Sequence, residues 1–139
     1  MTAPGRWIVK SEPSTYSFGQ LQRDGRTVWD GIRNAQALIH IRAMRKGDEV
    51  LFYHTGGEKA LVGLARVASA PYPDPGAKDS KLAVVDLEPV RALTRPVPLS
   101  GIKVEKRFAD LALVRHGRLS VSPVSAAQWA VLLRMAGER

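Results

Sequence analysis

The chain contains no cysteine, which excludes disulfide staples, thiolate zinc sites and a cysteine nucleophile, and fits a reducing compartment. Its histidines, His40, His54 and His116, stand far apart and do not suggest a metal centre; no cofactor is expected. No apolar run approaches the roughly 18 residues of a membrane helix. The opening Met-Thr-Ala-Pro-Gly-Arg lacks the basic-then-apolar pattern of a secretory signal. It reads as a short lead into a strand, in a cytoplasmic protein. Internal repeats and low-complexity segments are absent too. Acidic side chains are scarce: 13 stand against 21 Lys and Arg, for a formal charge of +8. That excess is spread over Arg23, Arg26, Arg33, Arg42, Arg45 and Lys46, then Lys103, Lys106, Arg107, Arg115 and Arg118. Distributed charge of this kind forms a patch on a folded surface and points to a polyanionic partner.

What is present suffices for one domain, residues 1–139, with a core that is stable without cross-links. Arg6 to Lys10 reads as an opening strand, stopped by Ser11-Glu12-Pro13. Phe18 to Arg23 reads as a short helix capped by Ser17 and ended by Asp24-Gly25. Ala37, Leu38, Ile41 and Met44 have helical spacing and predict a helix over Ala35–Arg45. Glu49–His54 and Ala60–Ala68 are rich in strand formers and flank a Gly-Gly loop. A stiff loop over Pro71–Gly76 precedes a long strand, Leu82–Leu93, with Val84, Val85, Leu87 and Val90 inward and Asp86 and Glu88 facing away. A loop is expected around Pro96–Pro98, then helical pieces through Leu113, a strand at Leu119–Val121 and a helix from Ser125 to Met135. Tight loops between neighbouring strands imply mainly antiparallel pairing, an α+β barrel-like architecture.

The most informative stretch is Val28-Trp29-Asp30-Gly31-Ile32-Arg33-Asn34. It gathers a flat apolar ring, a carboxylate, a guanidinium and an amide where the backbone turns. Such groups stack on a planar heterocycle, bond its edge and touch its phosphate. The plainer alternative makes Trp29 a half-buried anchor, Asp30-Gly31 a turn and Asn34 a helix cap. Trp7 and Trp129 read as core anchors.

Taken in order, Trp7-Ile8-Val9-Lys10-Ser11-Glu12-Pro13, the Trp29–Asn34 run, Leu51-Phe52-Tyr53-His54 and Ala70-Pro71-Tyr72-Pro73-Asp74-Pro75 resemble the EVE domain family. Val84-Val85-Asp86-Leu87 and Leu113 to Val121 extend the resemblance over nearly the whole chain. It implies a PUA-like fold, a small mixed and mostly antiparallel β-barrel flanked by helices, related to the YTH domains that read methyladenosine in RNA. It also implies a non-catalytic reader of a modified base in DNA or RNA, with 5-substituted cytosine in DNA the leading case. The sequence departs from the family pattern at Ala35 and Leu82, where many relatives carry aromatics. If those aromatics wall the pocket, the cavity here is wider or less sticky.

Taking a base out of its stack costs a few kcal/mol, and aromatic stacking returns roughly 1–3 kcal/mol per base. Trp29 is the expected first wall, matching the Trp after the first helix in YTH-type cages, and Tyr72, on its stiff loop, the second. Asp30 and Asn34 are the expected edge readers, with Ser11 and Glu12 near the same mouth. His54 is expected at the pocket edge, with Tyr53 packed under the first helix, since neighbours on a strand face opposite sides. Arg33, Lys10 and Arg118 are the expected phosphate contacts. Trp29→Ala is expected to abolish binding in a protein that stays folded. Two other functions use the same residues: a protein-interaction adaptor with Trp29 as its hot spot, and a hydrolase built on Ser11, His54 and Asp30. The second lacks a nucleophile elbow and a Gly-rich oxyanion loop.

Overall fold

The computed structural model describes residues 5–79 and 81–138; the expected lead falls mainly on residues 1–4, outside them. Strand β1 (Arg6–Ser11) lies parallel to β3 (Glu49–His54), with Ile8 opposite Leu51. Their side chains alternate between two cores. Trp7, Val9, Val50 and Phe52 enter the first; Ile8, Leu51 and Tyr53 enter the second. Both faces are covered, which explains why Val50-Leu51-Phe52-Tyr53 carries no polar alternation.

The first core is roofed by α1 (Phe18–Asp24) and α2 (Ala35–Ala43), through Phe18 and Leu21 and through Ala37, Leu38 and Ile41. The second is covered by α3 (Leu99–Lys103), α4 (Ala112–Arg115) and α5 (Ala126–Met135), whose Ile102, Leu113, Trp129 and Leu132 are buried. Between these layers runs a curled sheet in the order β2 (Thr27–Trp29), β6 (Ala83–Pro98), β4 (Ala60–Val67), β3, β1, β7 (Val121–Pro123), with the short β5 (Tyr72–Pro73) also on β6. Every pairing except β1–β3 is antiparallel, so the mixed, mostly antiparallel sheet flanked by helices is as expected. Trp7 anchors the first core, its indole N–H donating to the buried Asp48 Oδ2 at 2.9 Å.

Several local expectations are corrected. Helix α2 stops at Ala43, because Met44 adopts extended backbone. The register of β4 on β6 shifts between Leu64 and Ala65, which face Arg91 and Pro89. Val90 is the extra residue of that bulge and points to solvent, 42% exposed, rather than inward. The expected loop at Pro96–Pro98 is the end of β6, where Val97 faces Leu61 and Pro98 faces Ala60. Pro98 is tolerated there because the next residue makes the bond to the neighbouring strand, Leu99 N–H donating to the Lys59 carbonyl at 2.8 Å. The last strand lies two residues later than expected, where Val121 and Pro123 face Val9 and Trp7. Tyr53 enters the second core, not the space under α1.

Candidate functional site

Two turns bring the candidate residues together. At the end of β1 the carbonyl of Glu12 accepts the N–H groups of Thr15 and Tyr16, each at 2.9 Å. The Ser11 hydroxyl donates to the carbonyl of Tyr16. The chain therefore doubles back and sets Tyr16 directly before Ser17, whose hydroxyl caps α1 by accepting Gln20 N–H. The second turn follows β2. Gly31 sits at φ +77°, a left-handed conformation that a Cβ would oppose, and it carries the chain from Trp29 toward α2. Between the turns lies a hollow of about 390 Å³, lined by Lys10, Ser11 and Glu12, by Thr15 and Tyr16, and by Thr27, Val28, Trp29, Asp30 and Ile32.

Its apolar wall is a corner of two rings. Trp29 is only 8% exposed and rests edge-to-face on Phe52, with centroids 5.4 Å apart. Its centroid lies 6.2 Å from that of Tyr16, with the planes at 73°. The Trp29 indole N–H is buried and has no hydrogen-bond partner among the described residues. The rim is polar. Glu12 accepts the N–H and hydroxyl of Ser14, and the backbone donor first of all holds its carboxyl below the usual range. Burial lowers the Lys10 ammonium and raises the Tyr16 phenol. Lys10 Nζ donates to the Gly117 carbonyl at 2.7 Å, and the Tyr16 hydroxyl to Asp24 at 2.8 Å. Asp30 is exposed, with no hydrogen bond or ion pair to the rest of the described protein.

The structure thus gathers Trp29, Asp30, Ser11, Glu12 and Lys10 around one hollow and sets the other candidates apart. Tyr72 lies on β5, where its hydroxyl donates to Asp86, and it borders a separate small hollow with Arg42 and Leu82. It is not the second wall; Tyr16 holds that place. His54 is buried in the fold: its Nε2 accepts Phe18 N–H at 3.0 Å, and Nδ1 lies 2.7 Å from Glu58 Oε1. It fixes the first residue of α1 instead of edging the hollow. Asn34 is the cap of α2, accepting Ala37 N–H at 3.0 Å, and it borders a different cavity together with Arg118. Arg33 is exposed on the connection between Asp30 and α2. Ala35 and Leu82 do not line the Trp29 hollow, so a smaller side chain at either position does not widen it. Ser11, His54 and Asp30 share no hydrogen bond, since Ser11 and His54 are committed elsewhere.

Tyr16 is not among the residues expected at the site, yet the sequence carries a signal for it. An aromatic just before a Ser cap commonly packs back on its helix, so Tyr16 has to lie where α1 meets the Trp29 strand. The bond from the Tyr72 hydroxyl to Asp86 has a measurable counterpart. It pushes the phenol up to about 12. Because this exceeds the unfolded value of about 10, the contribution to stability is complete below pH ~10 and is lost as pH rises through 12. An ultraviolet tyrosinate titration should show Tyr72 ionising in that window, together with a falling unfolding free energy. Ionisation near 10 would show the bond to be absent in solution.

Among the described residues no group of three or more His, Asp or Glu could hold a metal ion, and no helix is long and apolar enough to cross a membrane. The EVE domain model matches residues 5–135. Human thymocyte nuclear protein 1 is 28% identical, over 93% of this chain and 72% of that protein. The solution structure of Rpa0253 from Rhodopseudomonas palustris is 41% identical with a TM-score of 0.91, covering 96% of this chain and 93% of that one. The crystal structure of human THYN1 protein in complex with 5-methylcytosine containing DNA is 27% identical with a TM-score of 0.87, covering 97% and 99%.

Proposed function

Because the chain belongs to the EVE domain family and has its PUA-like architecture, we propose that it binds nucleic acid through one modified base, held in the corner between Trp29 and Tyr16, and catalyses no reaction on it. The observation that carries this reading is the hollow itself. Its volume of about 390 Å³ lies at the compact end of the range for small-molecule sites. That suits one heterocycle better than a peptide laid along a groove. Two rings meeting near a right angle offer a face from one and an edge from the other, not a parallel sandwich.

Edge recognition falls to the uncommitted Asp30 carboxylate, which can accept the exocyclic amine of a cytosine. The buried Trp29 N–H is a donor without an acceptor, at a cost of about 1–3 kcal/mol. Lys10 and the exposed Arg33 supply the positive charge that meets the sugar-phosphate backbone. The complex of human THYN1 with 5-methylcytosine containing DNA supports 5-methylcytosine in DNA as the base in this reading.

Titration calorimetry with two single-stranded DNA oligonucleotides, differing by one 5-methyl group on cytosine, tests the proposal. Burying that methyl group contributes about 0.8 kcal/mol, so the methylated strand should bind about fourfold more tightly. Both affinities should fall as salt rises. Arg33→Ala should weaken both equally and reduce the slope of log K on log salt by about one. Equal affinity for the two strands at every salt concentration would overturn methyl recognition. No binding of either would overturn the function.

A further inference from the structure

Beside the Trp29 hollow lies a second, of about 700 Å³, between the start of α2 and the segment joining α4 to β7. Gln36 and His40 line it from α2, and His116, Gly117 and Arg118 face them. The two hollows share a boundary. Lys10 lines the first, and its ammonium donates to the carbonyl of Gly117, which lines the second. The connection from Asp30 to Asn34 also borders both, contributing Asp30 and Ile32 to one and Asn34 to the other. A chain emerging from the first hollow along this connection enters the second.

The chemistry of the second hollow is that of an anion site. Arg118 and His116 are exposed and make no side-chain hydrogen bond or ion pair to the described protein. The carboxylate there, Asp110, is engaged by Gln128 Nε2 at 2.8 Å. The His40 ring is held 5.9 Å from Trp7 and within 3.2 Å of Gln36 Nε2. Burial lowers its pKa, so it forms an uncharged wall rather than a cation. A guanidinium with free donors, beside a wall of mixed polar and apolar groups wide enough for a sugar and a phosphate, matches bidentate binding of a phosphodiester.

We propose that this second hollow seats the phosphodiester adjoining the base held at Trp29, with Arg118 on its oxygens and His116 and Gln36 donating beside it. This rests on the base-binding reading of the first hollow and extends the footprint from one base to a dinucleotide step. The test compares two probes by calorimetry: 5-methyldeoxycytidine, which carries no phosphate, and a single-stranded trinucleotide with 5-methylcytosine in the centre. Wild type should bind the trinucleotide at least tenfold more tightly than the nucleoside. The double variant His116→Ala/Arg118→Ala, altered at exposed side chains only, should lose most of that gain while binding the nucleoside as wild type does, the remainder being the share of Lys10 and Arg33. A variant that keeps the wild-type gain, or a wild type with no gain, overturns the second site while base binding stands. If the wild type binds neither probe, both readings fall together.

Discussion

Trp29→Ala is expected to lower the unfolding free energy by about 3–5 kcal/mol, the usual cost of truncating a buried tryptophan. The sequence suggests a side chain that can be removed without harm to the fold. The structure corrects this, because the indole belongs to the first core and rests on Phe52. A domain of this size has about 5–15 kcal/mol in total, so the variant retains little margin, and lost binding by it has two causes. Trp29→Phe separates them. It keeps an aromatic against Phe52 but removes the unpartnered N–H and narrows the stacking surface. Urea denaturation should show it folded, and its affinity for a methylated oligonucleotide should fall about tenfold, within the 1–3 kcal/mol of one base-stacking contact. Wild-type affinity in a folded Trp29→Phe would remove the indole from the site.

Gly63→Ala should cost at least as much as most overpacking changes, about 1–3 kcal/mol or more. Gly63 is buried in β4, opposite Phe52 and beside a register shift. A Cβ there would stand 2.4 Å from Cδ1 and Cε1 of Phe18. That ring cannot swing away freely, since it packs on Phe52 at 5.5 Å and opens α1. Relief has to come from moving the start of α1, and with it the turn that sets Tyr16 at the hollow. Thermal unfolding should show the lost stability, and binding should weaken in parallel. Phe18→Leu in the same chain should return part of both, by coupling between touching residues. A Gly63→Ala variant as stable as wild type would show that the α1–β4 contact is loose in solution.

Elements with a strong local signal are legible in the sequence. Ser17 and Asn34 cap the two helices expected from them, and β1 and β3 follow their runs of strand formers. What is not legible depends on pairing between distant segments. The exposure of Val90 follows from a bulge set by β4, not by its own neighbours. The strand at Pro96–Pro98 exists because Ala60 and Leu61 lie alongside. At the site the same division holds. Ser11, Glu12, Trp29 and Asp30 come from two short runs that each leave a strand, and the fold implied by the family resemblance, not sequence order, sets them at one mouth. Strand alternation puts His54 on the correct face of β3, but its partner Phe18 is 36 positions away and claims the nitrogen a ligand would need. Tyr72 reads as a wall because its prolines make it stiff. Its hydroxyl is instead tied to Asp86 on the neighbouring β6.

The outermost position of β2 has a dynamic consequence. This three-residue strand is bound to the sheet through β6 alone, at Thr27, Val28 and Trp29. Segments with so short a ladder exchange their amide protons through small, local excursions rather than global opening. The protons of Thr27–Trp29 should therefore exchange with deuterium well before those of β3, which has a neighbour on each side. The Trp29 side of the hollow should thus be the first part of the sheet to open, at a cost set by lifting the indole from Phe52.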